Sequence, residues 1–307
     1  MSGPHITILM ATLNGAQHLP TQLNSLLGQT HQNWSLVVSD DGSRDATMDV
    51  LLAFDRAHPG RDIRLVEGPR QGSAAQNFLS LLMRPDVPPG LVALADQDDY
   101  WRPHKLARAV EYLSHCPPDL PTVYASESIL TDASLIPYRV KPAPRANPSF
   151  RNALVQNLFS GHTTVLNAAA LSVIQTAGTP SHIAFHDWWI YQLIAGTGGL
   201  CLLDPAQTVL YRQHGGNAFG AAYGLRGAIR RLSHLLRNDY GRWLSAHWHA
   251  LHDAAPQLTP DARDLIRDLL TPHHSESRAA QFRRLGLHRG SAKGTVALEW
   301  AAHLGRL

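Results

Sequence analysis

The sequence predicts an α/β fold: a mostly parallel sheet covered by helices on both faces, followed by a C-terminal helical extension. Three observations carry this expectation. Short β-rich apolar runs alternate with helix-period segments through the first third of the chain. A polar cluster follows each of the first four apolar runs, and beyond residue 220 the pattern turns helical throughout.

"ITILMA" (6–11) reads as a strand, and "LPTQLNSLLGQ" (19–29) as a helix with Leu19, Leu23, Leu26 and Leu27 on one face. "WSLVVS" (34–39) is the second strand, and Ser43 or Asp45 caps the helix "ATMDVLLAFDRAH" (46–58). "IRLVE" (63–67) and "GLVALA" (90–95) are the next strands, separated by the helix "SAAQNFLSLLM" (73–83). Downstream, "TVYASESILTD" (122–132) reads as a strand pair, and the Pro-rich segment from Pro137 to Pro148 as a mobile loop. "FSGHTTVLN" (159–167) is a strand entering the helix "AAALSVIQ" (168–175). "FHDWWIYQLIA" (185–195) begins a helix, and "GGLCLLDPAQTVLYRQHGGN" (198–217) is a strand pair ending in a polar turn.

In sheets of this kind, ligands bind beyond the carboxyl ends of the strands. "TLNG" (12–15), "DDGSRD" (40–45), "GPRQG" (68–72) and "DQDD" (96–99) each follow a strand, so all four fall on one edge. A surface turn kept only for solubility would not predict that convergence. Three carboxylates within four positions, Asp96, Asp98 and Asp99, repel one another unless a cation shares them. Hard oxygen ligands of this type suit Mg²⁺ or Mn²⁺ bridging a diphosphate. Alternation at a strand end aligns Asp96 with Asp98 and turns Asp99 elsewhere. Asp40 and Asp41, across a strand, fit a base N–H or ribose hydroxyls better than the same metal.

The chain of 307 residues with 44% hydrophobic content can bury a substantial core. A net charge of +3 suits anionic ligands or an anionic membrane surface and is too small to imply nucleic acid. Cys116 and Cys201 show neither disulfide nor metal spacing, so a reducing, cytoplasmic setting is expected. The N-terminus lacks signal-peptide features, and no apolar run reaches the ~18 residues of a spanning helix. Apolar positions from Leu225 to Leu251 recur at helical spacing, with Arg226, Arg230, Arg231, Arg237 and Arg242 on other faces. This basic amphipathic helix either touches anionic lipid at the inner face of the membrane or packs on the catalytic domain. His247, His249, His252 and Asp253 in "HWHALHD" read as the titratable surface of a solvated helix, since nothing completes a zinc shell.

The ordered motifs "ITILMATLNG", "SDDGSRDAT", "ALADQDDYWRPHKL", "SGHTTVLNAAAL", "HDWW" and "YRQHGGN" resemble the family 2 glycosyltransferases, and in particular their bacterial rhamnosyltransferase-like branch. The likeness spans roughly residues 5 to 220. It implies a GT-A catalytic domain over 1–220, with a nucleotide-sugar-binding half to about residue 100 and an acceptor half from 101, and an extension over 221–307. By the same resemblance Thr12, Asn14, Asp40, Asp41 and, more loosely, Arg70 hold the nucleotide. Asp96 joins them on the donor side, with Arg212 on the diphosphate, while Asp98, Asp99 and His214 hold Mg²⁺ or Mn²⁺. Asp187 is the implied general base that deprotonates an acceptor hydroxyl. Gly161, His162 and Trp188 line the acceptor pocket, although Trp188 and Trp189 also read as core residues.

The resemblance implies an inverting transferase. It would move a sugar, rhamnose from dTDP-rhamnose or another from a UDP- or GDP-sugar, to a lipid-linked or growing surface glycan such as lipopolysaccharide. A non-catalytic nucleotide-sugar-binding protein and a nucleotidyltransferase remain as alternatives. The latter ordinarily carries an early Gly-rich phosphate loop with a cation, which "ATLNGAQHLP" lacks. A dinucleotide-binding dehydrogenase is weaker still, because the first strand–helix turn has no Gly-rich fingerprint.

Overall fold

The structure, a computed structural model, describes residues 3–140, 147–214, 239–271 and 276–307. Strands β1 (Ile6–Thr12), β2 (Trp34–Asp40), β3 (Ile63–Glu67) and β4 (Leu91–Asp96) alternate with helices α1 (Leu19–Leu27), α2 (Thr47–Ala57) and α3 (Ala74–Leu82). Then come β5 (Tyr100–Trp101), α4 (Lys105–Ser114), β6 (Thr122–Thr131), β7 (Pro137–Val140), α5 (Phe150–Ala153), β8 (Val165–Leu166), α6 (Ala168–Ala177), α7 (His186–Gly196) and β9 (Leu200–Arg212). The later described helices are α8 (Asp239–Asp253), α9 (Pro260–Leu270), α10 (Arg278–Arg284) and α11 (Ala292–His303).

All but β7 follow the order β3-β2-β1-β4-β8-β6-β9-β5, and β7 pairs with β6. The first four strands are mutually parallel, with Thr12 opposite Asp40, Ala11 opposite Asp96 and Asp40 opposite Glu67. Strand β8 is antiparallel to both β4 and β6, and β9 is parallel to β6. Strands β6 and β9 therefore run with β4, so Thr131 and Arg212 end on the same edge as Asp96. Successive side chains of a strand face opposite layers. Ile6, Ile8 and Met10 pack under α1, α2 and α4, whereas Leu9, Val37 and Leu94 pack under α3, α6 and α7.

Several local expectations are corrected. Residues 122–132 form one long strand, β6, turning at Asp132 into the short edge strand β7, so Pro137–Val140 is not loop. The described part of the stretch 198–217, up to residue 214, likewise contains one strand, β9, whose register with β6 slips between Asp204 and Gln207. Pro205 falls in that slip, where a missing N–H costs no ladder bond. Asp204, at its start, is buried and takes a bidentate bond from Arg108 at 2.8 and 2.9 Å plus the Tyr124 hydroxyl at 2.7 Å. Residues 225–238 of the expected basic helix lie outside the described residues. In the described part, α8, the apolar face packs inward: Leu244, Trp248 and Leu251 are buried with α7 in a single core. No helix among the described residues is long and apolar enough to cross a membrane.

His247 is not on a solvated surface. It is fully buried, its Nδ1 lies 2.8 Å from Gln192 Oε1, and its Nε2 has no hydrogen-bond partner. Burial pulls its imidazole down to about 3. The folded protein thus excludes a proton that the unfolded chain accepts below its ordinary value of about 6.5. Stability from this group is complete above that value and is lost as the pH falls toward 3. Urea denaturation should show about 1.4 kcal/mol less stability from this residue at about pH 5.5 than at about pH 7.5. His247→Gln should remove most of that difference.

Candidate active site

The acidic loop leaves the end of β4. Asp96 and Asp98 line a cavity of about 790 Å³, whereas Asp99 turns into the protein and is fully buried. Asp99 Oδ1 accepts the Arg212 N–H at 3.2 Å, and Oδ2 has no hydrogen-bond partner. Burial first, then the Asp98 and Asp187 charges, push Asp96 up to about 8. Burial, Asp98 and Asp96 raise Asp99 in the same way. Beneath them Lys105 is fully buried, its Nζ 3.8 Å from the Trp101 ring centroid, and desolvation lowers it to about 7.

Arg212 secures this loop from the neighbouring strand. Its Nε donates to Asp98 O at 2.7 Å and its Nη1 to Ala133 O, so its guanidinium is engaged by backbone carbonyls. Arg212 thus holds the acidic loop and, although expected on the diphosphate, is not among the residues that line the cavity. His214 Nε2 lies 2.7 Å from Asp98 Oδ2, and the His18 ring stands beside His214 at 4.8 Å. A second grouping brings ligand atoms of Asp96, Asp99 and His162 within 4.8 Å of one another. Although expected in the acceptor pocket, His162 thus sits with the acids, stacked on Tyr211 at 4.3 Å.

Gln97 is a residue that sequence reading missed, although it sits inside "DQDD". Its Oε1 accepts the Leu13 N–H at 2.9 Å and its Nε2 donates to Leu13 O at 3.0 Å, tying the acidic loop to the loop after β1. Gly15 makes room for it, since a Cβ there would lie 2.1 Å from Gln97 Oε1. Asp40 accepts from Thr12 Oγ1 at 3.1 Å, Gly42 N at 3.1 Å and Ser43 N at 2.8 Å. Asn14, at φ +49°, accepts the Arg44 N–H at 2.8 Å. These two residues organise the β2–α2 loop, and the structure leaves Thr12 and Asp41 to line the cavity. Asp41 accepts Gln71 N at 3.2 Å and Gly72 N at 2.6 Å. Arg70 points to solvent with Glu67 3.5 Å away and does not line the cavity.

Asp187 lines the same cavity from the first turn of α7. Its Oδ2 accepts the Gly161 N–H at 3.0 Å and its Oδ1 the Trp188 N–H at 2.7 Å, which fix the carboxylate. Gly161 lines the cavity and must lack a side chain, because a Cβ would meet His186 Nε2 at 2.6 Å. His186 itself is stacked on Phe78 at 4.2 Å. Trp188 does not reach the cavity: it is buried, donates from Nε1 to Ala153 O at 2.7 Å and stacks on Tyr240. Its expected acceptor contact is corrected to a core role, and Trp189 is core as well. Ser160, Phe159 and Asn157, none of them singled out by sequence, also line the cavity.

The donor set fits a divalent cation. Asp41, Asp96, Asp98 and Asp187 line one cavity, and no Lys or Arg does so among the described residues. A buried carboxylate oxygen without a partner, with neighbouring acids raised by mutual repulsion, is a place where a hard cation replaces missing positive charge. Asp96, Asp98 and Asp99, with His214 or His162, could hold it.

A parallel sheet that gathers acids at its strand ends, in one cavity with a helix-borne aspartate, has the GT-A fold of nucleotide-sugar-dependent transferases. The chain matches, over residues 7–135, the family model described as Glycosyl transferase family 2. It is similar to the dTDP-rhamnosyl transferase RfbG of Shigella flexneri, 27% identical over 247 residues, covering 76% of this chain and 81% of that one. A mannosyltransferase of Pyrobaculum calidifontis, solved with GDP-Man and Mn²⁺, superposes with TM-score 0.56 at 19% identity over 99% of this chain and 87% of that one. TarS 1–349 of S. aureus, solved with UDP-GlcNAc, gives 0.58 at 13% identity over 98% and 92%. At those identities the structural likeness carries the fold. The nucleotidyltransferase and non-catalytic readings give way to the family match.

Gly15→Ala would force the Gln97 clamp open while leaving the core untouched. Its kcat/KM for release of nucleoside diphosphate should fall about 10- to 100-fold, with melting temperature nearly unchanged.

Proposed function

We propose that this chain transfers rhamnose, with inversion, from dTDP-rhamnose to a hydroxyl of a growing surface polysaccharide or lipopolysaccharide glycan. The similarity to a dTDP-rhamnosyl transferase over most of both chains supports rhamnose ahead of UDP- or GDP-sugars. One observation carries the reaction: Asp187 and the Asp96–Asp98 pair line the same cavity. Thr12 and Asp41, at the ends of β1 and β2, mark the nucleoside end, held in place by Asp40 and Asn14.

In this reading Asp187 removes the proton of the acceptor hydroxyl as that oxygen attacks the anomeric carbon. The bond from that carbon to the diphosphate breaks, and the diphosphate leaves with the electron pair. A single displacement from the opposite face inverts the anomeric centre and needs no covalent glycosyl-enzyme. The Gly161 and Trp188 N–H groups orient the base throughout. Asp98, Asp99 and His214, beside Asp96, would hold Mg²⁺ or Mn²⁺, which would supply positive charge for the departing diphosphate. The cavity's four carboxylates would otherwise repel such a ligand. A cytoplasmic enzyme meeting a lipid-linked acceptor at the inner membrane face is the setting this chemistry implies.

The test offers dTDP-rhamnose, UDP- and GDP-sugars with Mn²⁺ or Mg²⁺ and a lipid-linked acceptor. Asp187→Asn should lower kcat about 10²- to 10⁴-fold while the thermal shift with nucleoside diphosphate persists. Chelation should abolish turnover in wild type, and either metal should restore it. Equal turnover by wild type and variant would remove the base; preference for another donor would remove rhamnose.

A further inference from the structure

Helix α11 shows two unlike faces. Leu298, Ala301 and Ala302 are buried in the core, while Val296, Trp300 and, just past its end, Leu304 are 54%, 63% and 63% exposed. Their spacing of four places them in one stripe along the outer face. An indole held this far into solvent beside two aliphatic side chains is the composition of a docking surface rather than of a solvated helix. Exposed Lys293 lies on the same face two turns before Trp300, and exposed His303 and Arg306 stand at the other end. The His303 ring sits edge-on to Trp300 at 6.4 Å.

Charge selects the occupant. Of the six Lys and Arg in residues 278–307, Arg283 pairs with Glu299 and Arg284 with Glu276 and Asp268, while Arg278 and Arg289 bond inward, so Lys293 and Arg306 are the cations that border the stripe. Two copies of this face would bring like charges together. An anionic surface would meet the basic residues while the stripe enters its apolar boundary. We propose that α11 docks the protein on an anionic lipid bilayer, with Val296, Trp300 and Leu304 in the headgroup–acyl boundary and Lys293 and Arg306 at lipid phosphates. This surface differs from α8, whose apolar face is covered, and it does not depend on which sugar is transferred.

Co-sedimentation of the full chain compares vesicles of phosphatidylcholine alone with vesicles containing phosphatidylglycerol. Wild type should bind the anionic vesicles, with salt weakening the binding. The double variant Trp300→Ala/Leu304→Ala should bind at least about tenfold less, and Lys293→Glu severalfold less. Both should keep the wild-type melting temperature and turnover with a soluble acceptor. The proposal is overturned if wild type ignores anionic vesicles, or if both variants bind as wild type does. It is equally overturned if light scattering shows a wild-type dimer that the double variant dissolves, since a second copy would then cover the stripe.

Discussion

The structure depends on holding several carboxylates together at the carboxyl edge of one sheet. Asp96, Asp98 and Asp99 would separate if left to their own repulsion, and three different supports prevent this. Arg212 grips the loop's backbone from β9, Gln97 fastens it to Leu13, and the buried Lys105 amine lies close enough for the Asp99 charge to act on it. None of these supports lines the cavity with positive charge. The cleft is therefore lined by acids with no lysine or arginine beside them among the described residues, a setting that suits a divalent cation.

The surroundings of Asp187 solve a different problem. In the proposed role of general base it must be fixed within reach of the acceptor while one lone pair stays available. Two backbone N–H groups hold Asp187, one from its own helix and one from Gly161. The missing Gly161 side chain lets His186 pack behind it against Phe78. The same helix carries Trp188, Tyr191 and Gln192 inward, where α8 closes over them through His247 and Trp248. Helix α7 thus stands on a core that the C-terminal helices complete, so α8 and Asp187 share one support.

The β/α alternation of the first hundred residues was legible because hydrophobic period is local. The shared edge of "TLNG", "DDGS" and "DQDD" was legible because parallel strands end together. The supports were less so. Gln97 sits in the most conspicuous motif of the chain, yet its task is visible only once Leu13 lies against it. Trp188 gives the opposite lesson: an aromatic next to the base looks like a sugar platform, and its indole instead faces Ala153. Strand pairs were expected at 122–132 and 198–217, but each stretch supplies one long strand, β6 followed by a turn into β7 and β9 with a register slip against β6.

What the sequence by itself determined was the layer architecture, the edge at which chemistry gathers, and the residue types available there. Those depend on periodicity and on neighbours a few positions apart. Which acid faces the cavity, which is buried, and which histidine meets it were decided by tertiary structure. Asp98 and His214 touch across a separation of 116 positions, and Gly161 and Asp187 across 26. Such contacts are set by strand order and by the space between packed layers, neither of which any local stretch of the chain contains.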